Sequence, residues 1–118
     1  MNLGIEERSD GVVVIRWTEP TVLDASNAGE LRERIAPVEQ AHPRIVLEMT
    51  HVEFIDSSII GALVGLLRRS RLAGGDLKLA DISPEVETIF ELTRLHTVFR
   101  IHDSVDGALQ EFAATISP

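Results

Sequence analysis

Asp56-Ser57-Ser58 is the run in this chain whose residue types and placement point most clearly to chemistry. A strand and loop (Ile45 to Ile55) lead into it, and an apolar helical run from Ile59 follows. Asp and Ser are helix-start residues, so one serine is expected to cap that helix. With two serines, one hydroxyl can cap while the other points to solvent. A phosphate on a serine here would sit at a helix N-terminus, where free backbone N–H groups and the positive dipole end favour an anion. Phosphorylation adds about −1.5 to −2 charges, so the helix should tolerate it and the fold should persist. Asp56 makes the local patch more negative still. The consequence therefore falls on a docking partner, which meets new bulk and like charge.

Other chemistries find less support. No G-x-x-x-x-G-K-[S/T] phosphate loop is present, and Gly74-Gly75 precedes a strand, so it reads as a helix stop. The histidines are His42, His51, His96 and His102. None pairs at i, i+3 or i, i+4, so each reads as a surface or loop residue rather than a ligand. Ser57 has no G-x-S-x-G elbow around it, and no base for it emerges. The spread of carboxylates suits solvated helix faces better than a glycosidase pair. One Trp, four Phe and no Tyr are too few for an aromatic platform. Nothing in the sequence marks an enzyme or a cofactor site.

The elements that must position the serines follow from periodicity. Leu3 and Ile5 alternate with polar residues as in a short strand, and Asp10-Gly11 signals a hairpin turn. Val12 to Trp17 reads as a strand buried on both faces; Pro20 ends the hairpin. Asp24 or Ser26 can cap a helix whose inner face is Ala28, Leu31, Ile35 and Val38. Pro37 is expected to kink or end it. Ile45 to Met49 is a second buried strand. Ile59, Leu63, Leu66 and Leu67 line the face of the next helix, with Arg68, Arg69 and Arg71 at its C-terminal end. Leu77 to Ile82 is a third buried strand. Ser83-Pro84 opens a third helix with Val86, Ile89 and Phe90 inward. Val98 to Ile101 is a last strand, and Asp103-Ser104 starts a helix with Val105, Ala108, Leu109 and Phe112 inward. Strand–helix–strand alternation implies parallel, right-handed connections. The expected class is α/β: a mixed sheet of four or five strands, opened by a hairpin and layered with four helices.

A length of 118 residues fits one compact domain, 1–118. The net charge of −8 disfavours nucleic acid and anionic membrane surfaces. The chain contains no cysteine, which excludes disulfides and thiol catalysis. The N-terminus lacks the pattern of a signal peptide. The longest apolar stretch, Ile59 to Leu67, falls far short of the about 20 residues of a membrane span. The expectation is a soluble, cytoplasmic protein.

At these residues the chain resembles the STAS family, and within it the anti-anti-sigma factors, or anti-sigma factor antagonists. The resemblance runs from Leu3-Gly4-Ile5 through Leu23-Asp24 and Ile45-Val46-Leu47 to Phe54-Ile55-Asp56-Ser57-Ser58. It continues with Gly74-Gly75-Asp76-Leu77, Ile82-Ser83-Pro84-Glu85-Val86, Ile89-Phe90-Glu91-Leu92, Leu95, and Asp103-Ser104 to Ala108-Leu109. Each piece is weak alone; the ordered set is specific.

The resemblance implies a partner switch. The unphosphorylated antagonist binds an anti-sigma factor that is also a serine kinase, and the sigma factor is released. The kinase uses ATP to phosphorylate the serine after the aspartate, here Ser57. A metal-dependent serine phosphatase resets it. The antagonist is substrate and switch, without catalysis or cofactor of its own. Asp24 matches a family aspartate near the serine; capping the first helix is its other reading. The implied docking surface comprises Asp24, Asp56, Ser57, Ser58 and Ile59. Two positions depart from the family pattern. Ile59 stands where Gly is usual, and reads either as core or as an apolar partner contact. Arg94 stands where Gly is frequent, which implies a different turn after the third helix. The alternative role is a non-switching STAS scaffold, or an accessory subunit of a lipid-transport ATPase or signalling assembly.

Overall fold

The computed structural model describes residues 1–116; residues 117 and 118, the end of the domain expected at 1–118, lie outside the described residues. Strands β1 (Leu3–Glu7) and β2 (Val13–Trp17) form the expected antiparallel hairpin. Gly11 takes φ 86, the left-handed conformation that glycine enters freely. From β2 the sheet continues in parallel through β4 (Arg44–Glu48), β6 (Asp76–Ala80) and β7 (Arg100–His102). The order is β1-β2-β4-β6-β7. A second sheet was not anticipated: β3 (Thr21–Leu23) pairs in parallel with β5 (Val52–Ile55).

Among the described residues there are four α-helices: α1 (Ala28–Ala41), α2 (Ser57–Leu72), α3 (Pro84–Leu92) and α4 (Val105–Ile116). Alternate strand residues feed two cores. Val13, Ile15, Trp17, Ile45, Leu47, Leu77 and Leu79 pack with α1, α2 and α3. Val12, Val14, Val46 and Ala80 face Ala108 and Phe112 of α4. The continuous apolar runs of β2 and β4 are thus buried on both faces, as parallel strands covered by helices must be.

Ionic ties close each layer. Lys78, almost fully buried on β6, reaches Asp76 at 3.1 Å and Glu111 of α4 at 2.8 Å, with its ammonium 4.4 Å from the Phe112 ring centre. Arg100 holds the same Glu111 at 2.6 Å. On the other face Glu39 of α1 accepts from the Ser70 hydroxyl at 2.6 Å and from Arg69 Nε at 3.2 Å, joining α1 to α2.

Three local expectations are corrected. Pro37 does not end α1, which runs on to Ala41. Pro37 and Glu33, whose carbonyl loses its donor, are both solvent-exposed, where water can meet the unpaired group. The buried Glu39–Ser70 bond then anchors the turn beyond the proline. The last strand begins later than expected, because Leu95–Thr97 forms a short 3-10 helix. Arg94 takes φ 60, ψ 20, so the chain makes a glycine-type left-handed turn with an arginine in it.

Candidate functional site at the N-terminus of helix α2

Parallel β3 and β5 deliver two loops to the same end of the small sheet. Buried Leu23 and Ile55 anchor the strand ends. The chain leaves β3 as Asp24-Ala25-Ser26 and leaves β5 as Asp56-Ser57-Ser58. A hydrogen bond joins them: the Ala25 N–H donates to Asp56 Oδ2 at 3.0 Å.

The helix cap is Asp56, not a serine. Its Oδ1 accepts from the N–H groups of Ser58 at 3.0 Å and Ile59 at 3.1 Å. The Ser58 hydroxyl donates to the same oxygen at 2.6 Å. That hydroxyl, followed by the N–H groups of Ile59, Ala25 and Ser58, holds the Asp56 carboxyl below its ordinary value. A carboxylate that accepts several hydrogen bonds is stabilised in its charged form. Asp56 therefore stays ionised and fixed.

Ser57 is the first residue of α2, is exposed, and its hydroxyl has no hydrogen-bond partner among the described residues. Among the described residues no side chain accepts a hydrogen bond from it, so the hydroxyl is accessible but not activated. The N–H groups of Ser58 and Ile59, expected to be free for an anion, are already taken by Asp56. A group added to Ser57 would meet the positive end of the helix dipole, but also a neighbouring carboxylate.

Asp24 lies in the adjoining loop and does not cap α1. Its Oδ1 accepts from the N–H and hydroxyl of Ser26. Its own N–H donates to Asn27 Oδ1 at 2.9 Å, and Asn27 Nδ2 donates to the Val22 carbonyl at 2.9 Å. The N-cap of α1 is Asn27, without a side-chain cap bond to the helix. Asn27 instead holds the loop that carries Asp24.

Ile59 belongs to the core. It is 0% exposed and packs with Ala62, Leu63, Leu66 and Leu67. Its side chain offers nothing to a partner; it fixes the first turn of α2 beneath Ser57. Burying each such aliphatic side chain contributes about 1.5–3 kcal/mol, so the first turn of α2 is firmly anchored to the core. Sequence reasoning missed an exposed apolar pair on the two strands that lead into the site. Val22 and Phe54 are cross-strand partners on β3 and β5 and are 46% and 47% exposed. Their strands are three and four residues long, too short for a period to reveal.

The STAS domain model matches residues 6–108. The chain belongs to the STAS domain family. Among curated STAS relatives, the anti-sigma F factor antagonist of Paenibacillus polymyxa is 28% identical over 112 residues, covering 94% of this chain and 96% of that protein. Among solved structures, an anti-sigma-factor antagonist (STAS) domain protein from Planctomyces limnophilus superposes with a TM-score of 0.82 at 20% identity, covering 96% of this chain and 99% of that one. The Bacillus cell fate determinant SpoIIAA in its phosphorylated form gives 0.68 at 22% identity, covering 93% and 98%. At these identities the two structures speak for the STAS fold alone: four helices on a mixed five-stranded sheet with a small parallel sheet beside it. Among the described residues, no helix is long and apolar enough to cross a membrane.

Proposed function

We propose that this chain is an anti-sigma factor antagonist, one domain that works as a phosphorylation-controlled binding switch in the cytoplasm. The observation that carries the reading is Ser57: an exposed, unbonded hydroxyl at the first position of a rigidly seated helix. The curated relative of matching length bears the same functional name. Unphosphorylated, the chain binds an anti-sigma factor through Asp24, Asp56, Ser57 and Ser58, with Val22 and Phe54 as the apolar border. The sigma factor is thereby freed.

That anti-sigma factor is a serine kinase and brings the ATP. It transfers the γ-phosphoryl group to Ser57 Oγ, the hydroxyl proton leaves, and ADP is released. Ser58 is the poorer acceptor because its hydroxyl is bound to Asp56. The new phosphate sits beside the Asp56 carboxylate and adds like charge where the partner must dock. A metal-dependent serine phosphatase hydrolyses it. The chain itself is substrate and binder, with no catalytic step of its own.

The test is incubation of the purified chain with ATP and each histidine-kinase-like ATPase encoded beside its gene, followed by mass spectrometry. Phosphate at Ser57 that disappears in Ser57→Ala is the expected result. Phosphate on another residue, or none with any candidate, contradicts the reading; copurification with a transporter ATPase would favour an accessory-subunit role instead.

A further inference from the structure

A groove at the C-terminal end of α2 takes no part in the switch and carries an inference independent of it. Val64, Leu67, Arg68, Arg71, Leu72 and Val98 enclose about 360 Å³. Leu67 is buried and forms the floor, while Leu72 is 81% and Val98 39% exposed. At 1.5 Å per residue, Leu72 lies about 22 Å along the helix axis from Ser57. The two ends of α2 can therefore be occupied at once.

The charges around the groove are unequal in their commitments. Arg69 is held by Glu39 at 3.2 Å. Arg71 is held by Asp76 at 3.0 Å and donates to the Val98 carbonyl at 3.2 Å, which fixes one wall. Arg68 is exposed and has no carboxylate or hydrogen-bond partner among the described residues. An uncompensated cation thus borders an apolar groove in a chain of net charge −8. We infer that this groove docks an acidic amphipathic helix of a partner protein, with apolar side chains against Leu67, Leu72 and Val98 and a carboxylate on Arg68. A second copy applying the same face would set Arg68 and Arg71 against their own equivalents. An anionic membrane would be repelled by the rest of the acidic chain.

Two synthetic helical peptides test this. Both carry one leucine face, flanked by Glu in the first and by Lys in the second, and each is titrated into the ¹⁵N-labelled full chain. The Glu peptide is expected to shift the amides of Val64 to Leu72 and of Val98, and to bind more weakly as salt rises. Leu72→Glu and Arg68→Glu, both at exposed positions, should each weaken it about tenfold. Equal binding of the Lys peptide, or shifts that avoid the groove, overturns the inference. So does dimerisation of the chain alone that Leu72→Glu abolishes, or binding to phosphatidylserine vesicles that the same variant abolishes.

Discussion

Asp56 Oδ2 accepts a hydrogen bond from the Ala25 N–H at 3.0 Å, across 31 residues of sequence. The same carboxylate caps α2 through Oδ1. One side chain therefore holds the two loops of the site together and seats the helix that presents Ser57. Asp56 is structural before it is anything else, and the hydrogen bonds it accepts favour its charged form.

Replacing it should loosen both loops together. Asp56→Ala is expected to lower the thermal midpoint and to speed amide exchange at Ala25, Ser58 and Ile59. Asp56→Asn should recover part of the cap, since Asn is a good N-cap residue. Unchanged exchange at Ala25 in the alanine variant would show that the two loops are not coupled through this carboxylate.

Val22 and Phe54 pair across β3 and β5 and stand about half exposed, on the strands that lead into the site. Phe54→Ala should weaken binding to the anti-sigma factor about tenfold, while the thermal midpoint stays nearly constant. A large loss of stability with intact binding would place Phe54 in the scaffold instead.

Much of this arrangement was legible from the sequence. Asp56-Ser57-Ser58 before an apolar run gave the helix start, and Ser83-Pro84 gave another, where the Ser83 hydroxyl accepts from the Val86 N–H at 3.2 Å. The burial of β2 and β4 on both faces followed from their unbroken apolar runs. What stayed hidden depends on partners distant in the chain. Nothing local tells that Asp56 rather than a serine takes the N–H groups, because Asp and Ser both cap well. Glu39 looks like a solvated helix residue until Ser70, 31 residues on, is seen to bind it. That same contact lies in the part of α1 that continues past Pro37. Ile59 was open between surface and core, and only the packing of α2 decided it.

Arg94 holds a left-handed backbone that costs an L-residue about 1–2 kcal/mol. Its side chain forms no ion pair among the described residues to offset this. Arg94→Gly should therefore stabilise the fold by up to about 1 kcal/mol, after glycine's larger unfolded-state entropy is subtracted. Urea melts of the two proteins check it; a destabilised glycine variant would mean the arginine makes up its cost elsewhere.

Acid should destabilise the fold through carboxylates. Hydrogen bonds from Arg100, then from Lys78, hold Glu111 well below the usual carboxylate range, and Asp56 is lowered too. Both groups are deprotonated in the folded state at pH values where the unfolded chain binds protons. Their contribution is present above the unfolded values, about pH 4, and is lost as pH falls toward the folded ones. Thermal midpoints should be lower at pH 3 than at pH 7 by less in Glu111→Gln than in the native chain. An identical acid limb in both proteins would contradict this assignment.

Ser57→Asp tests the tolerance of the mount itself. Position 57 is exposed and at a helix start, so stability should change by no more than about 0.5 kcal/mol. A loss of several kcal/mol would mean that charge at this position disturbs the Asp56 cap.

The central claim is that phosphate on Ser57 acts at the docking surface and leaves the fold intact. Titration calorimetry of the unphosphorylated and the stoichiometrically phosphorylated chain against the kinase found to phosphorylate it measures this directly. The account predicts tight binding by the first, loss of binding by the second, and closely similar melting curves for both. Equal affinity of the two forms, or loss of binding only because the phosphorylated chain unfolds, would contradict it.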